Sequence, residues 1–285
     1  MKIRIYAYYG FLLGMISLLG SCEDVIEVEV PSEEPRIIID ALIRVDVSNP
    51  LTNVRIKVSE TNSFFGTIPP AGIQQITITG LENGFNAILL EEEPGSGIYS
   101  KEVGTEAFIA EEMFLQIDFD NEYFVAFAEF VPAVPIDNIE QGDDFLFNED
   151  DTELIVTYTD DPDRTDFYLF DFDFNNFLAT EDTFYNGQEF SFSYFYEDDL
   201  EPGDEVDISI MGIDEPLYDY MNLLIEQSGE DFGPFETPAV TVRGNIINAT
   251  TIDNINNFNN VNTSDNFGLG YFAIVEEYKE TFIIE

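Results

Sequence analysis

From Arg36 to Val47 every second residue is apolar: Ile37, Ile39, Ala41, Ile43, Val45 and Val47 fall on one face of an extended chain. This period of two predicts a half-buried β-strand. Val54, Ile56 and Val58 repeat it, with Arg55 and Lys57 outward. Further strands are predicted at 76–79, 87–91, 98–102, 115–119 and 123–131. Turn material separates them: Ile68-Pro69-Pro70-Ala71-Gly72, Glu82-Asn83-Gly84 and Pro94-Gly95-Ser96-Gly97. About seven short strands at this spacing read as a β-sandwich.

The pattern pauses at Pro132-Ala133-Val134-Pro135, where two prolines disfavour a continuous ladder. It restarts at Leu154, Val156 and Tyr158. The stretch 167–174 sets Phe170, Phe172 and Phe174 against Asp171 and Asp173, and Phe190, Phe192, Tyr194 and Tyr196 form a second aromatic stripe. Both stripes read as sandwich core, with Phe177 and Phe195 lying off them as marks of a contact surface. Val206, Ile208 and Ile210 continue the series, and strands are expected at 240–246, 269–275 and 278–284. The Asn-rich stretch 245–266 reads as a long polar loop. One segment changes period. Leu217, Tyr220, Met221 and Leu224 are spaced i, i+3, i+4, i+7, which predicts a helix near 215–227 with Asp214 as its N-cap and Pro216 in its first turn.

The expected fold class is therefore mainly β. The segments are a leader at 1–21, an acidic tether at 22–35, a β-sandwich domain at 36–133 and a second at 134–285 carrying the helix.

Charge narrows function. The chain has 58 Asp plus Glu against 10 Lys plus Arg, a formal net charge of −48, with no His. Hydrophobic residues at 45% and aromatics at 14% exclude an acidic disordered chain, so the acids coat a folded body. Without His there is no Ser-His-Asp triad, no Cys-His dyad and no imidazole-rich zinc site. Nucleic acid is not an expected partner, because phosphate binding rests on Lys and Arg.

Met1 to Arg4 is a short basic start, and the apolar run that follows is too short and glycine-broken for a span of about 20 residues. It reads as a secretory leader. Leu19-Gly20-Ser21-Cys22 resembles the lipobox of bacterial lipoproteins, in which the Cys is acylated and becomes the first mature residue. Cys22 is the only cysteine and has no disulfide partner. Two or three acyl chains suffice for stable attachment where one does not. Glu23-Asp24 behind it resembles the signal that sends such lipoproteins to the outer face of the outer membrane, which makes a lipid-anchored, exterior position the expected one.

The most cation-like cluster is Asp160, Asp161 and Asp163, with Asp166 just beyond. Carboxylates gathered on a loop are what Ca²⁺ requires, although the EF-hand spacing is absent. No other cofactor and no catalytic residue is expected. A weaker cluster joins Asp198, Asp199, Glu201 and Asp204.

The order of motifs resembles a Bacteroidetes lipoprotein family known only as a domain of unknown function (number 4249). The matching pieces include Cys22 with its acidic tether, the Ile37–Ile43 strand, Pro94-Gly95-Ser96-Gly97-Ile98-Tyr99 and Val134-Pro135-Ile136-Asp137-Asn138-Ile139. Tyr158-Thr159-Asp160-Asp161-Pro162, Asn186-Gly187 and Pro202-Gly203-Asp204 follow. The C-terminal pieces are Leu217-Tyr218-Asp219-Tyr220, Arg243-Gly244-Asn245-Ile246 and Gly268-Leu269-Gly270-Tyr271-Phe272. The resemblance implies two β-sandwich-like domains, the second fibronectin type III-like, on a surface lipoprotein. It also implies an accessory role beside a TonB-dependent receptor β-barrel. It brings no catalytic residues. A surface glycan hydrolase and a structural adhesin are the alternatives.

Overall fold

The computed structural model describes residues 34–63, 66–82, 84–144, 151–196, 200–228, 241–254, 260, 262 and 264–285. Cys22, the leader, nearly all of the tether, and Asp198 and Asp199 lie outside the described residues.

The chain is mainly β, as its alternation predicts. The first half contains β1 (Ile37–Val45), β2 (Leu51–Glu60), β3 (Gln75–Gly80), β4 (Asn86–Glu91) and β5 (Ile98–Gly104), followed by a one-turn helix α1 (Glu106–Ala110). Then come β6 (Met113–Phe119), β7 (Glu122–Ala128) and β8 (Phe130–Val131). The second half contains β9 (Ile136–Gln141), β10 (Thr152–Thr159), β11 (Phe167–Asp171), β12 (Phe177–Glu181), β13 (Glu189–Tyr196) and β14 (Glu205–Ile213). Helix α2 (Glu215–Ser228), the two-residue β15 (Ile247–Asn248) and the long β16 (Leu269–Ile283) complete it. Among the described residues no helix is long and apolar enough to cross a membrane.

Two cores follow from the alternation. In the first, Ile39, Ala41 and Ile43 of β1 and Val54, Ile56 and Val58 of β2 pack with Ile76 and Ile78 of β3 and Leu115 and Ile117 of β6. Strand β4 serves both layers of this sandwich, since 86–89 pair with β3 and 90–91 pair with β5. In the second core, Leu154, Val156 and Tyr158 of β10 meet Tyr168 and Phe170 of β11 and Val206, Ile208 and Ile210 of β14. The aromatic stripes are core here except at Phe174: Phe172 and Tyr194 stack with ring centroids 3.8 Å apart, and Phe192 meets Phe170 edge-on at 5.1 Å. Strand β11 ends at Asp171, short of the expected 174, and the chain turns with φ of +50° at Phe174, which leaves that ring 51% exposed.

Strand β16 belongs to both cores. Residues 269–276 run parallel to β1, and 277–283 run antiparallel to β14. Its even residues Phe272 and Ile274 enter the first core, while Tyr278 and Phe282 pack on the second. Its odd residues Ala273 and Val275 face the other way, into a third cluster with Leu169, Met211, Ile213 and Leu217 of α2. The helix thus roofs the outer face of the sheet. The two strands expected at 269–275 and 278–284 are one element, because nothing between them breaks the extended chain.

The expected strand at 240–246 is not formed. Val240 lies outside the described residues, 241–246 is irregular, and ladder pairing begins only at Ile247. The Asn245 side chain takes over the pairing role. Its Nδ2 donates to the carbonyls of Phe272 (2.8 Å) and Phe127 (3.2 Å), and its Oδ1 accepts from the Phe272 amide (2.8 Å). An amide presents a donor and an acceptor just as a peptide does, so one side chain completes the edge.

Candidate functional site

Helix α2 starts as its sequence predicts. The Asp214 Oδ1 accepts from the Leu217 amide at 2.9 Å, satisfying one of the four free N–H groups of the first turn. The stripe Leu217, Tyr220, Met221 and Leu224 then points to the sheet. It does not fully close on it. Between the helix and the outer face of β1, β2 and β16 lies a cleft of about 610 Å³, within the size range of small-molecule sites.

The period of two that builds the core also builds this cleft. Inward residues of β1 and β2 fill the first core, so Asp40, Leu42 and Arg44 of β1 and Asn53, Arg55 and Lys57 of β2 face the cleft. Asp40 pairs with Lys57 on one side and Tyr271 of β16 on the other, forming one row across the floor. The helical side is apolar, with Met221 and Leu224 above Leu169 and Phe177. Tyr220 and Tyr271 meet there with centroids 5.1 Å apart. Burial pushes both hydroxyls above the ordinary tyrosine range, with the Asp40 charge adding to the shift at Tyr220 and Asp214 at Tyr271. They are neutral hydrogen-bonding groups at physiological pH.

The three cations differ in commitment. Arg44 bonds Asp171 of β11 at 2.7 Å and Glu277 of β16 at 3.1 Å, tying β1 to two other strands. Burial works against its charge, yet those two carboxylates outweigh it and raise its pKa. Arg55 meets Glu92 at 3.4 Å with both side chains exposed, a pairing of little energy. Lys57 has no ion pair among the described residues, and Asp40 is its cross-strand neighbour.

The carboxylates singled out in the sequence lie elsewhere, around the Tyr168 hydroxyl. Asp160 and Asp166 are buried, and Tyr168 approaches Asp160 Oδ1 at 2.6 Å and Asp166 Oδ2 at 3.0 Å. The Gly187 amide donates to Asp160 Oδ2 at 2.7 Å. Arg164 pairs with Asp161 at 3.2 Å and with Asp166 at 3.1 Å, and Asp161 Oδ1 accepts from the Asp163 amide at 3.0 Å. The carboxylates of Asp160, Asp161 and Asp166 are thus each engaged within the protein. Among the described residues no group of three or more His, Cys, Asp or Glu is placed to hold a metal ion. Burial drives the Asp166 carboxyl above the ordinary range; Tyr168 and Arg164 oppose this, while Asp160 and Asp182 add to it. Of the second cluster, Asp204 caps a tight turn by accepting from the Glu201 amide at 2.8 Å.

A family model described as a domain of unknown function, DUF4249, matches residues 23–281. The chain belongs to that family. No curated protein matches it. The match takes in every residue of the cleft and of the Asp160 loop in this DUF4249 chain.

Alternation identifies Arg55 and Lys57 as outward, and Phe177 as off the aromatic stripe. It does not reveal that all three line one cleft with α2. A signal was present in Ile37-Ile38-Ile39: apolar residues on both faces of β1 mean that the outer face is covered as well.

Proposed function

We propose that the chain is an outer-membrane lipoprotein, anchored through Cys22 and facing the cell exterior. In this reading it binds a ligand without transforming it and assists a TonB-dependent receptor. The observation that supports binding best is the cleft itself, about 610 Å³ with an apolar wall and a cationic rim. Among the described residues its lining contains one carboxylate, Asp40, so the carboxylate pair of a glycoside hydrolase is not met there. The anchor rests on Leu19-Gly20-Ser21-Cys22 and the acids behind it.

Metabolic labelling with palmitate, followed by pull-down of the tagged protein from membranes, tests the reading. Label incorporated by the wild type and lost in Cys22→Ala, together with a co-purifying β-barrel receptor, is the expected result. Label retained in Cys22→Ala overturns the anchor. A labelled protein that binds matrix without any barrel favours the adhesin. Turnover of a polysaccharide that a single carboxylate substitution abolishes favours the hydrolase.

A further inference from the structure

We infer that the cleft between α2 and the outer face of β1 and β2 receives an amphipathic anion, its apolar body against the helix and its carboxylate or phosphate head on Arg55 and Lys57. The inference rests on the reading of the cleft as a binding site and specifies the ligand class.

The first argument is placement. Three of the ten basic side chains in a chain of net charge −48 converge on this one cleft, against one lining carboxylate. Acids are available everywhere else, so a cationic ligand has no reason to prefer this place. An anion has few alternatives.

Polarity is divided along the cleft. The cations enter from β2, two residues apart on one face of the strand. The apolar wall comes from α2, β11 and β12, through Leu217, Met221, Leu224, Leu169 and Phe177. Leu224 remains 36% exposed, so the wall is only partly covered by the protein. A molecule with a charged end and an apolar end satisfies both halves at once; an uncharged one buries the wall but adds nothing at Lys57 or beyond the weak Glu92 contact at Arg55.

The cations are also free to respond. Arg44 is held by Asp171 and Glu277 and acts as part of the frame. Arg55 exchanges a weak exposed contact with Glu92 for the ligand head, and Lys57, with no ion pair among the described residues, gives up none. A planar guanidinium beside a compact ammonium accepts either a carboxylate or a phosphate.

Calorimetric titration of the full chain carrying Cys22→Ala tests this, since no acyl chain of its own can then compete. The probes are laurate and dodecyl phosphate, with dodecyl maltoside as the uncharged comparator, each below its micellar concentration. Saturable one-to-one binding of at least one anion is expected, with the maltoside about tenfold weaker or more. The preferred anion identifies the head. Arg55→Gln with Lys57→Gln weakens the anion by about tenfold or more and leaves the maltoside unchanged. Both positions are exposed, and unaltered thermal unfolding of the double variant certifies its fold. Leu224→Glu weakens all three probes. No saturable binding of either anion overturns the inference, as does anion affinity within about twofold of the maltoside or of the double variant. Either failure leaves palmitate labelling and barrel co-purification untouched, so the ligand class falls separately from the proposed function.

Discussion

Replacing Tyr168 by Phe isolates the contribution of the buried carboxyl pair. Tyr168 is fully buried, and its hydroxyl lies 2.6 Å from Asp160 and 3.0 Å from Asp166. A phenol carries one hydrogen, which the two carboxylates share, and donation to an ionised carboxylate is a charge-assisted hydrogen bond. At Asp166 that donation opposes the rise in pKa that burial causes. Removing the hydroxyl deletes one charge-assisted hydrogen bond without opening a cavity, worth about 1.5–3 kcal/mol. Tyr158→Phe is the matched control. Its hydroxyl donates to the neutral Tyr185 at 2.8 Å, and Tyr185 keeps Thr180 at 3.0 Å, so its loss costs about 0.5–1.5 kcal/mol. The sign with pH follows from the raised carboxyl. The contribution of Asp166 is fully present below the unfolded value of about 3.9 and is lost as pH rises through the raised folded value. Wild-type stability therefore gains from this group as pH falls into the acid range. The Tyr168→Phe deficit is largest near neutrality and shrinks in acid, where protonation relieves the pair. Urea unfolding of wild type and both variants at pH 7.5 and pH 5 measures it. A deficit at pH 7.5 no larger than that of Tyr158→Phe refutes the reasoning.

Gly270 has φ of +100°, and a Cβ there would sit 1.9 Å from the carbonyl oxygen of Ile39, so Gly270→Ala is expected to cost about 3 kcal/mol or more. In a chain of this size that lowers Tm by about 6 °C or more, measurable by thermal unfolding. Leu217→Ala empties a 2% exposed anchor of α2 and should cost about 2–4 kcal/mol in urea unfolding. Asn245→Ala leaves the Phe272 amide and two carbonyls unpaired, costs about 2–3 kcal/mol, and should speed hydrogen exchange at Phe272 selectively.

What the sequence makes legible is local. The alternation of β1 and β2, the stripe and N-cap of α2, and the aromatic core of the second half are all properties of neighbouring residues. The parallel pairing of β1 with β16 joins residues more than 200 positions apart, and no local pattern specifies it. Strands β9 and β12 escape for a different reason. Asp137, Asn138, Glu140 and Gln141 occupy most of β9, and all five residues of β12 are half-buried, so neither carries a clean two-residue period. The acidic loop was legible as a cluster of charges. Its burial was not, because burial depends on Tyr168 and Gly187 arriving from other segments. The cleft is the extreme case: its floor comes from residues 38–57 and its wall from 169–224, distant segments joined by β16 and by the Arg44–Asp171 ion pair.

The placement of the cations yields a test in kinetics. Arg44 and Arg164 hold strands and the acidic loop, Lys279 pairs with Asp207 at 2.6 Å, and Arg36 and Arg243 lie over the Phe267 ring at 4.3 and 3.6 Å. These positive charges are absorbed within the body, which seen from a distance is strongly negative. An approaching anion is repelled until it is within reach of Arg55 and Lys57. Screening shortens from about 30 Å at 0.01 M salt to about 8 Å at 0.15 M, so salt removes the distant repulsion before it weakens the contact. The association rate of laurate should therefore rise between those concentrations, the reverse of an anion steered to a basic protein. Stopped-flow mixing with the Cys22→Ala chain measures it, and a rate that falls with added salt refutes the assignment of the head to a cationic rim set in an acidic body.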